Sequence, residues 1–214
     1  MTSYEMKPNQ KLPIAIIGAG GHAKEVYQTL LRYPTGTIEF LGFFVTIEVL
    51  SNESLYGWKV QPMANIPVHA NVHIAIGSIA GRRMVNDLTH DKKKITIVDC
   101  AAIRGSDVEL GEGCYVAPNA TITANVRIGV NCVINTAATI CHDVQMGGYC
   151  NISPAATICG GAQLGEGVYI GAASIIREKI KITDNTIIGM GANVLHPIEK
   201  EGTYVGNPAA IIPS

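Results

Sequence analysis

Charge is scarce in this chain. Only 15% of its 214 residues are Asp, Glu, Lys or Arg, and 16 basic against 17 acidic residues leave a formal net charge of −1. A general nucleic-acid binder carries a basic stripe; none is present, so no nucleic-acid partner is expected. No run of 18 apolar residues occurs, which argues against a transmembrane helix and a membrane role. The opening MTSYEMKPNQK lacks the apolar core of a signal peptide, so the expected location is cytoplasmic. CxxC spacing is absent among the six cysteines, and with it the usual sequence signature of a zinc site. In a reducing cytoplasm no disulfide is expected either.

What the chain does have is apolar residues, 47% of the total, enough to bury a core in one or two domains. It also has a strict period. Counting in sixes from Leu110 through Val116, Ile122 and Ile128 to Ile188 and Val194 gives fifteen positions in a row that are aliphatic or Met. Two residues before each, the side chain is usually small or β-branched, as at Val108, Cys114, Ala120, Val126, Cys132 and Ala138. A helix needs spacing near 3.6 and a lone strand alternates by two. A strict six fits short strands joined by tight corners, three sides to a coil of 18 residues. Gly111, Gly129, Gly147 and Gly165 recur at that larger period. The pattern predicts a parallel β-helix of hexapeptide repeats, stacked at the strand spacing of a sheet. Cys114, Cys132 and Cys150 are then small interior residues.

The phase also locates three corner columns. One runs through Glu112-Gly113, Val130-Asn131 and Gly148-Tyr149, and a second through Pro118-Asn119, Thr136-Ala137, Pro154-Ala155 and Ala172-Ala173. The third runs through Ser106-Asp107, Ala124-Asn125, His142-Asp143, Gly160-Gly161 and Glu178-Lys179. In it His142 lies between tiny neighbours, Ala124 one coil before and Gly160 one coil after, which leaves a groove beside the imidazole. Asp143 can orient that ring.

A different pattern precedes the repeats. LPIAIIGAGG at 12–21 reads as an apolar strand ending in glycines, and HAKEVYQTLLR continues with Ala23, Val26, Tyr27, Leu30 and Leu31 at helical spacing. Further strands are expected at Phe40–Val45, Val72–Ile76 and Ile95–Val98, a short helix at Arg82–Leu88, and loops around Pro34 and from Pro62 to Pro67. Alternating strands and helices predict a small parallel α/β, Rossmann-like domain. Gly18, Gly20, Gly21 and His22 form its ligand candidate, because N–H groups at a helix start attract phosphate. Too few strands are visible for a full nicotinamide domain; a nucleotide or nucleotide-sugar phosphate fits better. The alternative is a tight turn with packing glycines.

IIGAGGHAKEV, GFF at 42–44, AIG at 75–77 with Arg82-Arg83, the stretch NTAATICHDVQMGGYCNISPAATICGG and the ending GTYVGNPAA together resemble one family. It is the bacterial sugar O/N-acyltransferases of the NeuD and PglD type. The resemblance implies a left-handed β-helix, a homotrimer, and acetyl-CoA bound along the groove between neighbouring β-helices. It also implies His142 as catalytic base with Asp143 beside it, and Asn135 near the acceptor sugar. Asn151 falls beside the thioester; Gly160, Gly161 and Ala172 fall along the acetyl-CoA, with the Gly160 N–H facing the acetyl carbonyl. Gly20, Gly21 and His22 match the nucleotide-sugar contact loop. One departure stands out: relatives commonly follow GFF with two acids that help hold the nucleotide, and here Val45 and Thr46 follow.

The expected organisation is a tail at 1–11, a nucleotide-sugar-binding domain at 12–98, a β-helix at 99–195 and a closing segment at 196–214. The expected activity is acetyl-CoA-dependent N-acetylation of a nucleotide-linked 4-amino-4,6-dideoxy sugar for surface glycan or polysaccharide, without a metal. Two alternatives remain open: O-acetylation of a sialic acid-type sugar, and a non-enzymatic nucleotide-sugar-binding scaffold. A γ-type carbonic anhydrase, which shares the β-helix, needs three zinc-binding histidines, and the repeats offer only His142 and the terminal His196.

Overall fold

The computed structural model describes residues 11–46 and 53–213, in two compact units, Met1–Ile95 and Thr96–Ser214. Most of the N-terminal tail lies outside the described residues. Among the described residues no helix is long and apolar enough to cross a membrane.

The first unit is a four-stranded parallel sheet with helices. Its elements are β1 (Leu12–Ile17), α1 (Gly21–Leu30), β2 (Ile38–Val45), the hairpin strands β3 (Ser54–Leu55) and β4 (Trp58–Lys59), β5 (Gln61–Pro62), β6 (Asn71–Ile74) and α2 (Ile79–Leu88). The sheet order is β5-β2-β1-β6. β1 is therefore central and apolar throughout, as a strand covered on both faces must be, and Ile14, Ala15, Ile16 and Ile17 are almost fully buried. α1 buries Ala23, Val26, Tyr27 and Leu30 along one side, while Leu31, expected on the same side, is 60% exposed at the helix end. α2 starts three residues earlier than its apolar spacing suggests, because the Ser78 side chain accepts from the Gly81 N–H at 3.1 Å and caps it. The Pro62–Pro67 loop contains one short helical turn, Met63–Asn65.

Strand order reverses at β1, with β2 on one side and β6 on the other. In open parallel sheets such a switch point opens a crevice at the carboxyl ends of the strands.

The second unit is a left-handed parallel β-helix. Every strand on its faces is short, and from Ile97 to Val194 successive coils pair in parallel at a spacing of 18 residues: Tyr115 with Val133, Thr121 with Thr139, Arg127 with Gln145. The least populated of the three faces has five strands, so five coils are complete. Ile97–Val98 pairs with Tyr115–Val116 and opens this solenoid; it is not a strand of the α/β sheet, as its apolar run alone suggested. At the other end Thr203–Val205 and Ala210–Ile211 form an antiparallel pair that closes the first face.

The six-residue column lines the interior from Val116 to Val194, with Leu110 packed against it. Its small partners are interior too, and their polar members are satisfied: the thiols of Cys114, Cys132 and Cys150 donate to the carbonyls of Gly129, Gly147 and Gly165 at 3.1–3.2 Å. The glycine ladder has a steric cause. A Cβ on Gly129 would lie 2.4 Å from the Gly148 nitrogen, and one on Gly147 would lie 2.6 Å from that of Glu166.

The second residue of each corner is left-handed. Asn119, Asn125, Asn131 and Asn185 suit that region, yet Ala137, Ala155, Ala173, Tyr149 and Lys179 adopt it as well, with φ between 55° and 59°. Stacking between coils imposes the corner even where the residue type resists it.

Candidate active site

The crevice at the switch point is a cavity of about 360 Å³. Its walls are the β1–α1 turn from Ile17 to His22, the end of β2 at Val45 and Thr46, and Ala75–Gly77 after β6. All four expected ligand-loop residues, Gly18, Gly20, Gly21 and His22, line it. Their glycines divide by cause. Gly18 has φ +130°, and a Cβ there would lie 2.4 Å from the Ala75 carbonyl oxygen, so the fold itself demands it. A Cβ on Gly20 or Gly21 would meet nothing within 4 Å. Packing does not call for glycine there; their bareness keeps the amino end of α1 open. That end has no side-chain cap and no acidic residue in its first turn, which suits an anion.

Two buried basic side chains support these walls. The Arg82 guanidinium, 1% exposed, donates from Nη1 to the carbonyls of Ile76 at 3.0 Å and Gly77 at 2.9 Å, tying the β6 loop to α2. His73, equally buried, donates from Nδ1 to the Ile95 carbonyl at 2.8 Å. Burial pushes its pKa down to about 4, against the pull of that hydrogen bond and with the help of His22 and Arg82 nearby. Its ring is neutral at pH 7.

In the solenoid, His142 and Asp143 form a corner between a strand ending at Ile140 and one starting at Gln145. Their side chains are 68% and 53% exposed. The Nδ1 of His142 lies 2.7 Å from Oδ2 of Asp143. An ionised carboxylate only accepts, so Nδ1 carries the proton and Nε2 presents its lone pair. Asn125, one coil earlier, donates to Oδ1 of Asp143 at 2.6 Å. Asp143 is held below the usual carboxylate range, first by the His142 hydrogen bond and then by Asn125.

Gly160 stacks on His142, and a Cβ there would lie 2.6 Å from ring atoms Cε1 and Nε2. The imidazole fills the space that a side chain at Gly160 would take. The Gly161 N–H donates to the His142 carbonyl at 2.8 Å, whereas no hydrogen bond among the described residues engages the Gly160 N–H. A base with a fixed tautomer and an open N–H donor therefore share one corner, the two elements needed to deprotonate a nucleophile and face a developing oxyanion.

The remaining expected residues lie elsewhere on the solenoid. Asn135 precedes the neighbouring corner, and its Nδ2 donates to the Ile152 carbonyl at 2.9 Å. Ala172 belongs to that same corner column, two coils further on. Asn151 is on the first face, 6% exposed, with Nδ2 3.3 Å from the Ser153 hydroxyl. One chain thus gathers His142, Asp143, Gly160 and Gly161, and holds Asn135, Ala172 and Asn151 apart from them. The role of Asn125 was not read from the sequence. Its signal was there: it stands 18 residues before Asp143 and so must stack against it. Among the described residues no cluster of three or more His, Cys, Asp or Glu could hold a metal ion.

Residues 13–88 match the family model of the PglD N-terminal domain. No curated protein matches the sequence. Solved structures do. WeeI from Acinetobacter baumannii AYE is 28% identical over 94% of this chain and 100% of its own, with a TM-score of 0.84. PerB from Caulobacter crescentus, in complex with CoA and GDP-perosamine, is 26% identical over 94% and 97%, at 0.84. The acetyltransferase domain of PglB from Neisseria gonorrhoeae FA1090, at 24% identity over 94% and 99% with a TM-score of 0.84, shares the fold. With a PglD-type first domain at residues 13–88, a left-handed β-helix and these similarities along nearly its whole length to bacterial sugar N-acetyltransferases, the chain is an acyltransferase that resembles the PglD type.

Proposed function

We propose that this protein transfers the acetyl group of acetyl-CoA to the amine of a nucleotide-linked 4-amino-4,6-dideoxy sugar used in surface glycan or polysaccharide. The observation that carries this reading is the His142 imidazole, hydrogen-bonded to Asp143 at 2.7 Å and seated over Gly160. The perosamine N-acetyltransferase of Caulobacter crescentus, solved with CoA and GDP-perosamine, supports the substrate class.

The neutral sugar amine attacks the thioester carbonyl, and Nε2 of His142 takes the proton the amine loses. Asp143 holds the ring in the tautomer that can accept it and stabilises the imidazolium that forms. The Gly160 N–H faces the oxyanion of the tetrahedral intermediate. Collapse re-forms the carbonyl and breaks the C–S bond, and His142 returns the proton to the departing CoA sulfur. Gly18, Gly20, Gly21 and His22 hold the nucleotide end, with the diphosphate at the start of α1. Asn135 lies toward the acceptor sugar, while Asn151, Gly161 and Ala172 line the path of acetyl-CoA.

The working unit in this reading is a homotrimer in the cytoplasm, where acetyl-CoA and nucleotide sugars are made. Ile175, Ile187 and Met190 stand exposed on the solenoid, Met190 at 82%, and apolar surface of this kind marks contact between copies. A neighbouring copy would also supply what one chain holds apart, the residues around Asn135 and Ala172.

The test is release of free CoA thiol from acetyl-CoA against a panel of UDP-, dTDP- and GDP-linked 4-amino sugars and sialic acid. Turnover on an amino sugar supports the assignment. Turnover on sialic acid alone makes the protein an O-acetyltransferase. No turnover, with no acetyl-CoA binding, favours the scaffold.

A further inference from the structure

The crevice of the first unit has an unusual end wall. In parallel sheets that bind nucleotides beside a glycine turn, an acid at the end of the second strand commonly accepts hydrogen bonds from the ribose hydroxyls. Here β2 ends at Val45 and Thr46 follows, and both line the crevice. The opposite wall is Ala75, Ile76 and Gly77, and Ile17 closes the floor. No Asp or Glu is among the described residues that line it.

We propose that this crevice selects a thymidine nucleotide over the uridine and guanosine ones. The inference rests on the reading of the chain as a nucleotide-sugar enzyme and names the nucleotide. Two chemical differences separate thymidine from uridine diphosphate, and both point the same way. The 2′-hydroxyl of a ribonucleotide is a donor that wants an acceptor. Beside the described walls, aliphatic side chains and a neutral Thr46 hydroxyl with no carboxylate among them, it loses water and gains less in return than a carboxylate would give. The 5-methyl group of thymine has no such need and gains contact with aliphatic side chains such as Val45 and Ile76. Guanine adds an exocyclic amine, a further donor for which the described walls supply no carboxylate. The diphosphate is common to all and goes to the start of α1.

Titration calorimetry of the full-length protein with dTDP, dUDP, UDP and GDP tests this. The expected order is dTDP tightest, dUDP between, and UDP weaker than dTDP by roughly tenfold or more, the size of effect one small group produces in a fitted pocket. Thr46→Asp places a carboxylate at this wall and is expected to narrow the dTDP-to-UDP ratio to within about threefold. UDP or GDP binding as tightly as dTDP overturns the selectivity and leaves the nucleotide-sugar reading intact. If all four fail to bind at millimolar concentration while the protein is folded, the nucleotide-sugar reading falls too.

Discussion

The His142 imidazole occupies the space that a side chain at Gly160 would need, with Cε1 and Nε2 each 2.6 Å from where that Cβ would stand. The two residues are 18 apart in sequence and one coil apart in the solenoid. Replacing the glycine should therefore turn the base aside without unfolding the chain, since the coils on either side are packed by their interior columns. Gly160→Ala is expected to lower kcat by roughly 10²-fold or more, within the range a general base supplies, with a melting temperature close to wild type. A variant of full activity would mean that the ring position does not matter.

Asp143 and Asn125 extend the same corner. Asp143→Asn replaces the carboxylate that fixes the imidazole tautomer with an amide that can equally present a donor, so kcat should fall roughly 10²-fold with little change in KM. Asn125→Ala keeps the carboxylate but frees it to turn, and a smaller loss is expected. The hydrogen bonds from His142 and Asn125 depress the pKa of Asp143. The carboxylate therefore stays ionised at neutral pH, and what it contributes is lost only as pH falls through that lowered value, below the ordinary carboxylate range. A wild-type pH–rate profile should accordingly show no loss assignable to Asp143 until the pH falls below the ordinary carboxylate range.

His73 links stability to pH in the first unit. Its pKa is about 4 when folded, against 6.5 for the free side chain, so between those values the unfolded chain binds the extra proton. Stability then rises with pH across that window and is complete above about 6.5. The shift corresponds to a loss on the order of 3 kcal/mol on going from pH 7 to pH 4. His73→Asn keeps a donor toward the Ile95 carbonyl and cannot titrate. Urea denaturation at several pH values should give a flatter stability curve for that variant; equal slopes would remove His73 from the account.

The glycines offer a paired comparison. Gly129→Ala forces a Cβ against the backbone of the next coil at 2.4 Å, and a loss of about 1–3 kcal/mol is expected, as for other overpacked interiors. Gly20→Ala enters open space. It should leave the melting temperature nearly unchanged and weaken nucleotide binding, because the methyl group stands where the ligand approaches. A thermal scan with and without nucleotide distinguishes the two behaviours.

Thiol accessibility follows from the same interior. Burial, aided by its neighbours Cys114 and Cys150, raises the pKa of Cys132 well above the ordinary thiol value, and Cys100 is exposed. A chromogenic disulfide should react at once with Cys100 in the native protein and with Cys114, Cys132 and Cys150 only after denaturation.

The solenoid was legible because its period is long, strict and repeated. Fifteen column residues agree on one phase, and that phase alone placed His142 beside Gly160 and put every interior cysteine correctly. The corner conformation was less legible: Ala155 and Lys179 adopt left-handed angles that their residue types disfavour, since the stacking on either side decides. The end of the α/β unit was misjudged for a related reason. Ile95–Val98 is an apolar run that fits either unit, and only its pairing with Tyr115–Val116 assigns Ile97–Val98 to the solenoid. In the crevice, the glycine turn was visible, but the division between a glycine the fold requires and two that a ligand would require needs the three-dimensional neighbourhood. The separation of Asn135 and Ala172 from His142 was legible too, since the phase puts them at a different corner column.

The central claim is that His142 is the base of an acetyl transfer to an amino sugar. Its most direct test is the steady-state rate of CoA release with an accepted 4-amino sugar, measured side by side for wild type and His142→Ala at equal folded concentration. The account predicts a kcat roughly 10²- to 10⁴-fold lower in the variant, with acetyl-CoA affinity within a few-fold of wild type. An unchanged kcat in His142→Ala would contradict it.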